Sequence, residues 1–389
     1  MNKFFLDLGK QPLANNFQKK KTKSYYNLKL IYNSKTKLVS ISKKIKKETM
    51  FNKTYPYRSS ESLLVNDHFR ILSKKIKNKF KFKNIFEIGS NDGTFAKNFS
   101  KKKIVCVEPC NDVGNLLRAK GFEVYTKYFD NKLVNQLKKK YQSFDLIFSA
   151  NTITHIDKIE NVFFNIKKIL SKTGVIIIEE PSVLECFKKN AFDQFYNEHI
   201  YVLSAISLTN ILNKVNLRIY KIENINVHGG SLRYFIIHKK HNIKNHSSYL
   251  NQIKKEKKYN LHKFSSCQQF AKKVQKLKER LVEIFNKIKS TNKIIIGYGA
   301  SAKAVTIINY CKLTKGYFDY FIDTTKNKVG KYLPGTKILI KKYSKSIMNP
   351  NFYYFLGAWN FKKEIFKKEQ NFIKNKGKFI VHLPKPKVL

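Results

Sequence analysis

Short apolar runs alternate with polar, helix-compatible stretches along the middle of the chain. NIFEIGS, KIVCVEP, FEVYTKYF, FDLIFSAN and GVIIIEEP have the length and composition of buried strands. Between residues 57 and 244 this alternation predicts an α/β doubly wound sheet. The pattern then changes, because RIYKIENINV and SLRYFIIHK adjoin through His228-Gly229-Gly230, a glycine pair suited to a tight hairpin. The last strand is therefore expected to run antiparallel. Residues 1–56 show only short alternations such as LKLIY and KLVSI, which predict a small β-rich module. Residues 245–290 are charged and helix-compatible, with an apolar stripe through Phe264, Phe270, Val274, Leu277, Leu281 and Ile284 that marks a connector packed between domains. From KIIIGYGA onward, with YFDYFID, FYYFLGA and KFIVHLP, a second α/β unit completes the domain expected over 245–389.

Composition changes this picture little. A chain of 389 residues with 42% hydrophobic content has room for two or three cores. Its five cysteines contain no C-x-x-C pair, so they suit a reducing cytoplasm better than a disulfide framework. No apolar run approaches the ~20 residues of a membrane helix, and no signal-type apolar segment follows the first lysine. The net charge of +52 raises the question of nucleic acid. Lysine supplies nearly all of it and is spread along the whole chain, whereas only six residues are arginine, whose planar fork reads guanine and phosphate. The expectation is a protein of the cytoplasm without nucleic-acid or membrane partners; its oligomeric state is open, with a monomer expected.

The chemistry concentrates at strand ends. In FEIGSNDGTFAKNF, Glu87 closes a strand, Gly89, Asn91, Asp92 and Gly93 form a turn, and Thr94 to Phe99 can start a helix. Glu108, followed by Pro109, closes the next strand about 20 residues beyond Gly89, where nucleoside-binding α/β folds place a ribose-binding carboxylate. Two glycines at Gly89-x-x-x-Gly93 do not make the amide nest of a dinucleotide site, and Asp92 would repel a pyrophosphate while tolerating a cation. The cradle reads as one for S-adenosylmethionine, in a Rossmann-like, class I methyltransferase core. Asn151 and His155 follow the fourth strand, Tyr196, Glu198, His199 and Tyr201 the fifth, and His228 the sixth; by topology all face one crevice. Histidine is the natural base near neutral pH, Glu198 can orient it, and a phenol can stabilise charge on oxygen. His155 could equally serve a helix start beside Thr154, and Tyr57 could anchor the linker.

These motifs resemble the S-adenosylmethionine-dependent sugar C-methyltransferases that act on nucleotide-linked 4-keto-deoxysugars. The matching pieces are LDLGKQPLANNF at 6–17, YPYRSS at 55–60, EIGSNDG at 87–93, VEP at 107–109, YNEH at 196–199, HGGSLR at 228–233, GYGASAKAVTIINY at 297–310, YLPGT at 332–336 and AWNF at 358–361. The resemblance implies a zinc-binding module over 1–56, a methyltransferase core over 57–244 and a helical connector with a C-terminal Rossmann-like domain over 245–389. It implies His199 as the base that removes the proton next to the ketone, with Tyr196, Glu198, His155 and Tyr57 as pocket companions. His228, Gly297, Tyr298 and Lys303 would contact the nucleotide-linked sugar. Three departures stand out. The sequence begins past the family's first C-x-x-C, and Asn33 and Thr36 occupy the second, so zinc is not expected and the module must rely on packing. Asn197 replaces a histidine, which bears on one pocket contact, and Ala304 replaces a glycine. An O- or N-methyltransferase, or a basic nucleic-acid-binding protein on the same scaffold, are the competing expectations.

Overall fold

The computed structural model describes residues 1–389 apart from Lys21, Lys53, Thr54, His228, Lys315 and the side chain of Ile347. His228, a candidate substrate contact, therefore lies outside the described residues. The N-terminal strands are β1 (Asn2–Gln11), β2 (Tyr26–Asn33) and β3 (Val39–Ile41). The next strands are β4 (Ile85–Ile88), β5 (Ile104–Val107), β6 (Glu123–Tyr125), β7 (Phe144–Ala150) and β8 (Leu170–Pro181). After them come the two-residue β9 (Tyr201–Val202), β10 (Leu217–Ile225) and β11 (Ser231–His238).

The central sheet has the order β10-β11-β8-β7-β4-β5-β6. Its pairs are parallel from β8 to β6, and β11 is antiparallel to both β8 and β10. This is the class I methyltransferase sheet expected from the pattern. Strands β4 and β5 are buried at every position, as a parallel sheet covered on both faces requires. The strand order reverses between β4 and β7, which puts a ligand crevice beyond their carboxyl ends. One local expectation fails. Thr94 to Phe99 form no α-helix, only a 3-10 turn at Ala96–Asn98, where Asn98 Nδ2 donates to the carbonyls of Thr94 and Phe95 that a helix would use. Phe95 instead stacks on Phe148 at 3.7 Å between ring centres.

The N-terminal sheet has the order β1-β2-β3-β9, so its last strand comes from the methyltransferase core. At the turn where the resemblance implied a second C-x-x-C, Asn33 Oδ1 accepts the N–H of Lys35 and Thr36 and the Thr36 hydroxyl, at 2.9–3.0 Å. Its Nδ2 donates to Asn2 Oδ1 at 2.8 Å. Amide and hydroxyl groups in that role do not fit zinc, which takes thiolate, imidazole or carboxylate. Among the described residues no cluster of three or more His, Cys, Asp or Glu could hold a metal. Packing ties the module down: Asn197 Nδ2 donates to Pro12 O and Asn210 Nδ2 to Thr36 O. Asn197 thus faces the module and not the crevice.

Helices Ser247–Lys258 and Phe264–Lys289 lead to the C-terminal sheet. On the second helix Phe270 stacks on Phe187 of the core, and Phe285 meets Phe355 of the last domain edge-on. The expected stripe is buried at Phe270, Val274, Leu277 and Leu281, but Phe285 and not Ile284 carries it on to the last domain. Strands β12 (Ile295–Tyr298), β13 (Tyr320–Asp323), β14 (Ile340–Lys342), β15 (Tyr353–Leu356), β16 (Lys378–Val381) and β17 (Lys387–Val388) pair in the order β14-β13-β12-β15-β16-β17. All those pairs are parallel except the last. No helix among the described residues is long and apolar enough to cross a membrane.

Candidate active site

The turn after β4 is shaped by sterics. Gly89 and Gly93 take φ of +72° and +85°, a region that favours glycine. A Cβ on Gly89 would stand 2.2 Å from Thr152 Oγ1, and one on Gly93 2.3 Å from a Leu117 methyl. The tight turn brings the N–H of Asn91 onto Glu108 Oε2 at 2.9 Å. Pro109 carries the chain round so that the N–H of Cys110 reaches Glu108 Oε1, also at 2.9 Å. Each oxygen retains a lone pair for a ribose hydroxyl. Burial raises the pKa of Glu108, against the pull of the two amides and of Arg58. Glu87, at the end of β4, is pushed well above the carboxylate range by burial, then by Glu108 and Asp92. Its Oε2 meets no hydrogen-bond donor among the described residues. Crowded carboxyl groups with an unpartnered oxygen suit a cationic ligand, and S-adenosylmethionine carries both a sulfonium and an ammonium.

Two residues expected at the cofactor turn their side chains elsewhere. Asn91 Oδ1 accepts the N–H of Ser59 at 2.9 Å, and its Nδ2 donates to Tyr57 O at 3.2 Å. Asp92 accepts from the hydroxyls of Ser59 at 2.7 Å, Ser60 at 2.5 Å and Thr94 at 2.9 Å. Burial would raise the Asp92 pKa, but these hydroxyls outweigh it and the net shift is downward. Asn91 therefore offers the cradle its backbone, while both side chains bolt the YPYRSS segment over the crevice. Asn151 takes φ of +50° and donates its N–H to Glu179 O. The neighbouring Glu180, missed in the sequence, accepts from Thr152 N and Thr154 Oγ1.

Across the crevice, Tyr196 Oη lies 2.6 Å from His199 Nε2, and His199 Nδ1 lies 2.7 Å from Gln194 O. A carbonyl can only accept, so Nδ1 carries the proton and Nε2 presents its lone pair to the Tyr196 hydroxyl. The orienting partner is thus the Gln194 carbonyl, not the Glu198 carboxylate. Glu198 instead accepts from Asn15 Nδ2 at 2.8 and 3.0 Å and from Tyr55 Oη at 3.4 Å. His155 stacks on His199 at 5.0 Å and on Phe51 at 5.6 Å. Its pKa is pushed down to about 4 by burial, so it stays neutral and adds no charge to its neighbour. Burial, reinforced by Glu198 and Tyr57, keeps the Tyr196 phenol protonated. Tyr57 is 42% exposed, and among the described residues its hydroxyl makes no hydrogen bond. Tyr55, two residues earlier, also reaches the pocket, through Glu198. Tyr201 lies outside it, bonded to Asp157.

Two family models match the chain, a methyltransferase domain over residues 64–222 and a C-methyltransferase C-terminal domain over residues 226–384. The chain is an S-adenosylmethionine-dependent methyltransferase, with a methyltransferase domain followed by a C-methyltransferase C-terminal domain. It is 27% identical over 307 residues to the C-methyltransferase NovU of Streptomyces niveus, across 78% of this chain and 73% of the relative. Among solved structures, a methyltransferase of Thermotoga maritima described as a possible histamine N-methyltransferase aligns at 20% identity and a TM-score of 0.37. That alignment covers 46% of this chain and 94% of the other. Magnesium protoporphyrin IX methyltransferase of Synechocystis aligns at 8% identity over 45% of this chain and 78% of its own, with a TM-score of 0.34.

In this methyltransferase the residues expected to meet the substrate from the C-terminal domain are differently engaged. Gly297 is glycine because a Cβ there would enter the Phe321 ring at 2.3 Å. Tyr298 is buried and donates to Glu369 at 2.8 Å. Both are packing residues of β12. Lys303 is buried beneath the 192–199 loop; burial lowers its pKa, against the attraction of Asp193 and Cys186.

Glu198 supplies a pH dependence. Its pKa is raised by burial from 4.5 to about 7, against the pull of Asn15 and Tyr55. Between those values the native carboxyl keeps a proton that the unfolded chain has released, so native stability falls as pH rises through this window. The contribution is fully present below the unfolded value and lost above about pH 7, amounting to about 3 kcal/mol. Glu180, also raised to about 7 by burial, adds a decline of the same sign. Glu198→Gln is expected to remove its own share. Urea midpoints of both proteins at about pH 5 and pH 8 measure the difference, and equal declines would contradict the assignment.

Proposed function

We propose that the enzyme methylates the carbon next to the ketone of a nucleotide-linked 4-keto-deoxysugar, most simply a thymidine-diphosphate sugar. The observation that carries this reading is the placing of His199, with Nδ1 held by Gln194 O and Nε2 beside the Tyr196 hydroxyl. Nε2 takes the proton from the carbon next to the ketone, and the Tyr196 hydroxyl turns from the imidazole to the oxygen on which negative charge collects. Glu108 and the turn from Gly89 to Gly93 would hold the cofactor, whose sulfonium would give its methyl to that carbon and leave as the neutral thioether. His155 contributes a neutral apolar face behind the base. The resemblance through YNEH and HGGSLR supports the sugar, and five free, buried cysteines suit work in the cytoplasm.

Methyl-labelled cofactor and a panel of thymidine-diphosphate 4-keto-deoxysugars test the reading. The expected product carries a new carbon-bound methyl, and in deuterated water without cofactor the substrate exchanges the hydrogen next to its ketone. A methyl on oxygen or nitrogen with no exchange would instead establish an O- or N-methyltransferase.

A further inference from the structure

The carbonyl that orients His199 belongs to a loop held by the C-terminal domain. Gln194 ends the 3-10 turn Phe192–Gln194, and the residue before it, Asp193, is wholly buried. Asp193 Oδ2 accepts the indole N–H of Trp359 at 2.5 Å and lies 3.6 Å from His382 Nε2. Trp359 follows β15 and His382 follows β16, so both stand at the carboxyl ends of the C-terminal strands. The same indole fills the space over Gly229, where a Cβ would stand 2.4 Å from Trp359 and 3.2 Å from Gln194 Nε2. Two further contacts tie this loop to the same domain: Asn190 Nδ2 donates to Pro384 O at 3.0 Å, and Phe192 meets the Tyr310 ring edge-on at 5.1 Å. Lys303, buried on the helix that follows β12, is attracted to Asp193.

We propose that Trp359 and Asp193 are positioning residues for His199: the Trp359–Asp193 hydrogen bond sets the Gln194 carbonyl one residue away, and that carbonyl holds the imidazole with Nδ1 protonated, so that Nε2 is the nitrogen that can act as base. The C-terminal domain thereby takes part in the proton transfer without touching the reacting carbon. A carbonyl displaced by a fraction of an ångström lets the ring rotate or change tautomer, and only one tautomer presents Nε2 as the base. The role rests on the reading of His199 as base, and the test separates the two.

Trp359→Phe keeps an aromatic ring and deletes the donor, together with the outer indole atoms that lie over Gly229. With ¹⁵N-labelled histidine, and the His199 signals identified by their loss in His199→Asn, the parent protein should show a single Nδ1–H tautomer. Trp359→Phe should show a mixture of tautomers, a kcat lower by about 10- to 100-fold, a displaced acid limb of the kcat–pH profile and an unchanged cofactor Kd. Should that variant not fold, Asp193→Asn keeps the side-chain shape, weakens the acceptor and reads the same signals. An unaltered tautomer in the folded variant overturns the proposal whatever happens to the rate. If the tautomer shifts while His199→Asn remains active, the positioning stands and the base reading falls.

Discussion

His199→Asn is expected to lower the methyl-transfer rate by about 10³-fold at saturating substrate. Asparagine can still donate toward Gln194 O, so the loop keeps its partner, but the amide has no basic lone pair for the proton that Nε2 is placed to take. Cofactor binding should be spared, because the cradle from Glu87 to Gly93 and Glu108 shares no described hydrogen bond with His199. Single-turnover kinetics with labelled cofactor, together with titration calorimetry, measures both quantities. A rate within about tenfold of the parent, ten being about 1.4 kcal/mol of barrier, would remove His199 from the chemistry.

The second large effect is expected at Glu108. Glu108→Ala deletes the acceptor of two backbone amides, at Asn91 and Cys110, along with the carboxylate offered to the ribose. Hydrogen bonds to a charged group contribute about 1.5–3 kcal/mol each, so cofactor affinity should weaken by about 100-fold or more. Glu108→Gln, which keeps one oxygen but faces the other amide with an NH₂ group, should fall between. The effect belongs in Kd, and the rate at saturating cofactor should change much less, since the reacting half of the crevice rests on other residues. Calorimetric titration with the cofactor or its demethylated product checks this, and an unchanged Kd would show that the ribose lies elsewhere.

The seven strand segments of the central sheet, the antiparallel end at Gly229-Gly230 and the second α/β unit were legible because each depends on short-range pattern. Buried parallel strands need unbroken apolar runs, and tight turns need glycine. The expected helix at Thr94 failed since the Asn98 side chain takes the carbonyls of Thr94 and Phe95. β9 escaped notice because two residues carry no period, and its pairing with β3 spans most of the N-terminal half. In YPY the pattern cannot choose between tyrosines, and the one that reaches Glu198 is Tyr55. Asn15 sits in a segment whose neighbours along the chain say nothing about a carboxylate near residue 198.

By itself the sequence determined the acidic, glycine-turned cradle and a histidine among tyrosine and carboxylate neighbours at a strand end. Those features follow from residue type and local spacing. Only the tertiary structure decided that Asn91 and Asp92 clamp the linker, that Gly297 and Tyr298 belong to packing, and that Gln194 O orients His199. A main-chain carbonyl is the same in every residue, so its partner is chosen by where the folded chain brings it, and here that placement depends on an indole some 160 residues further along.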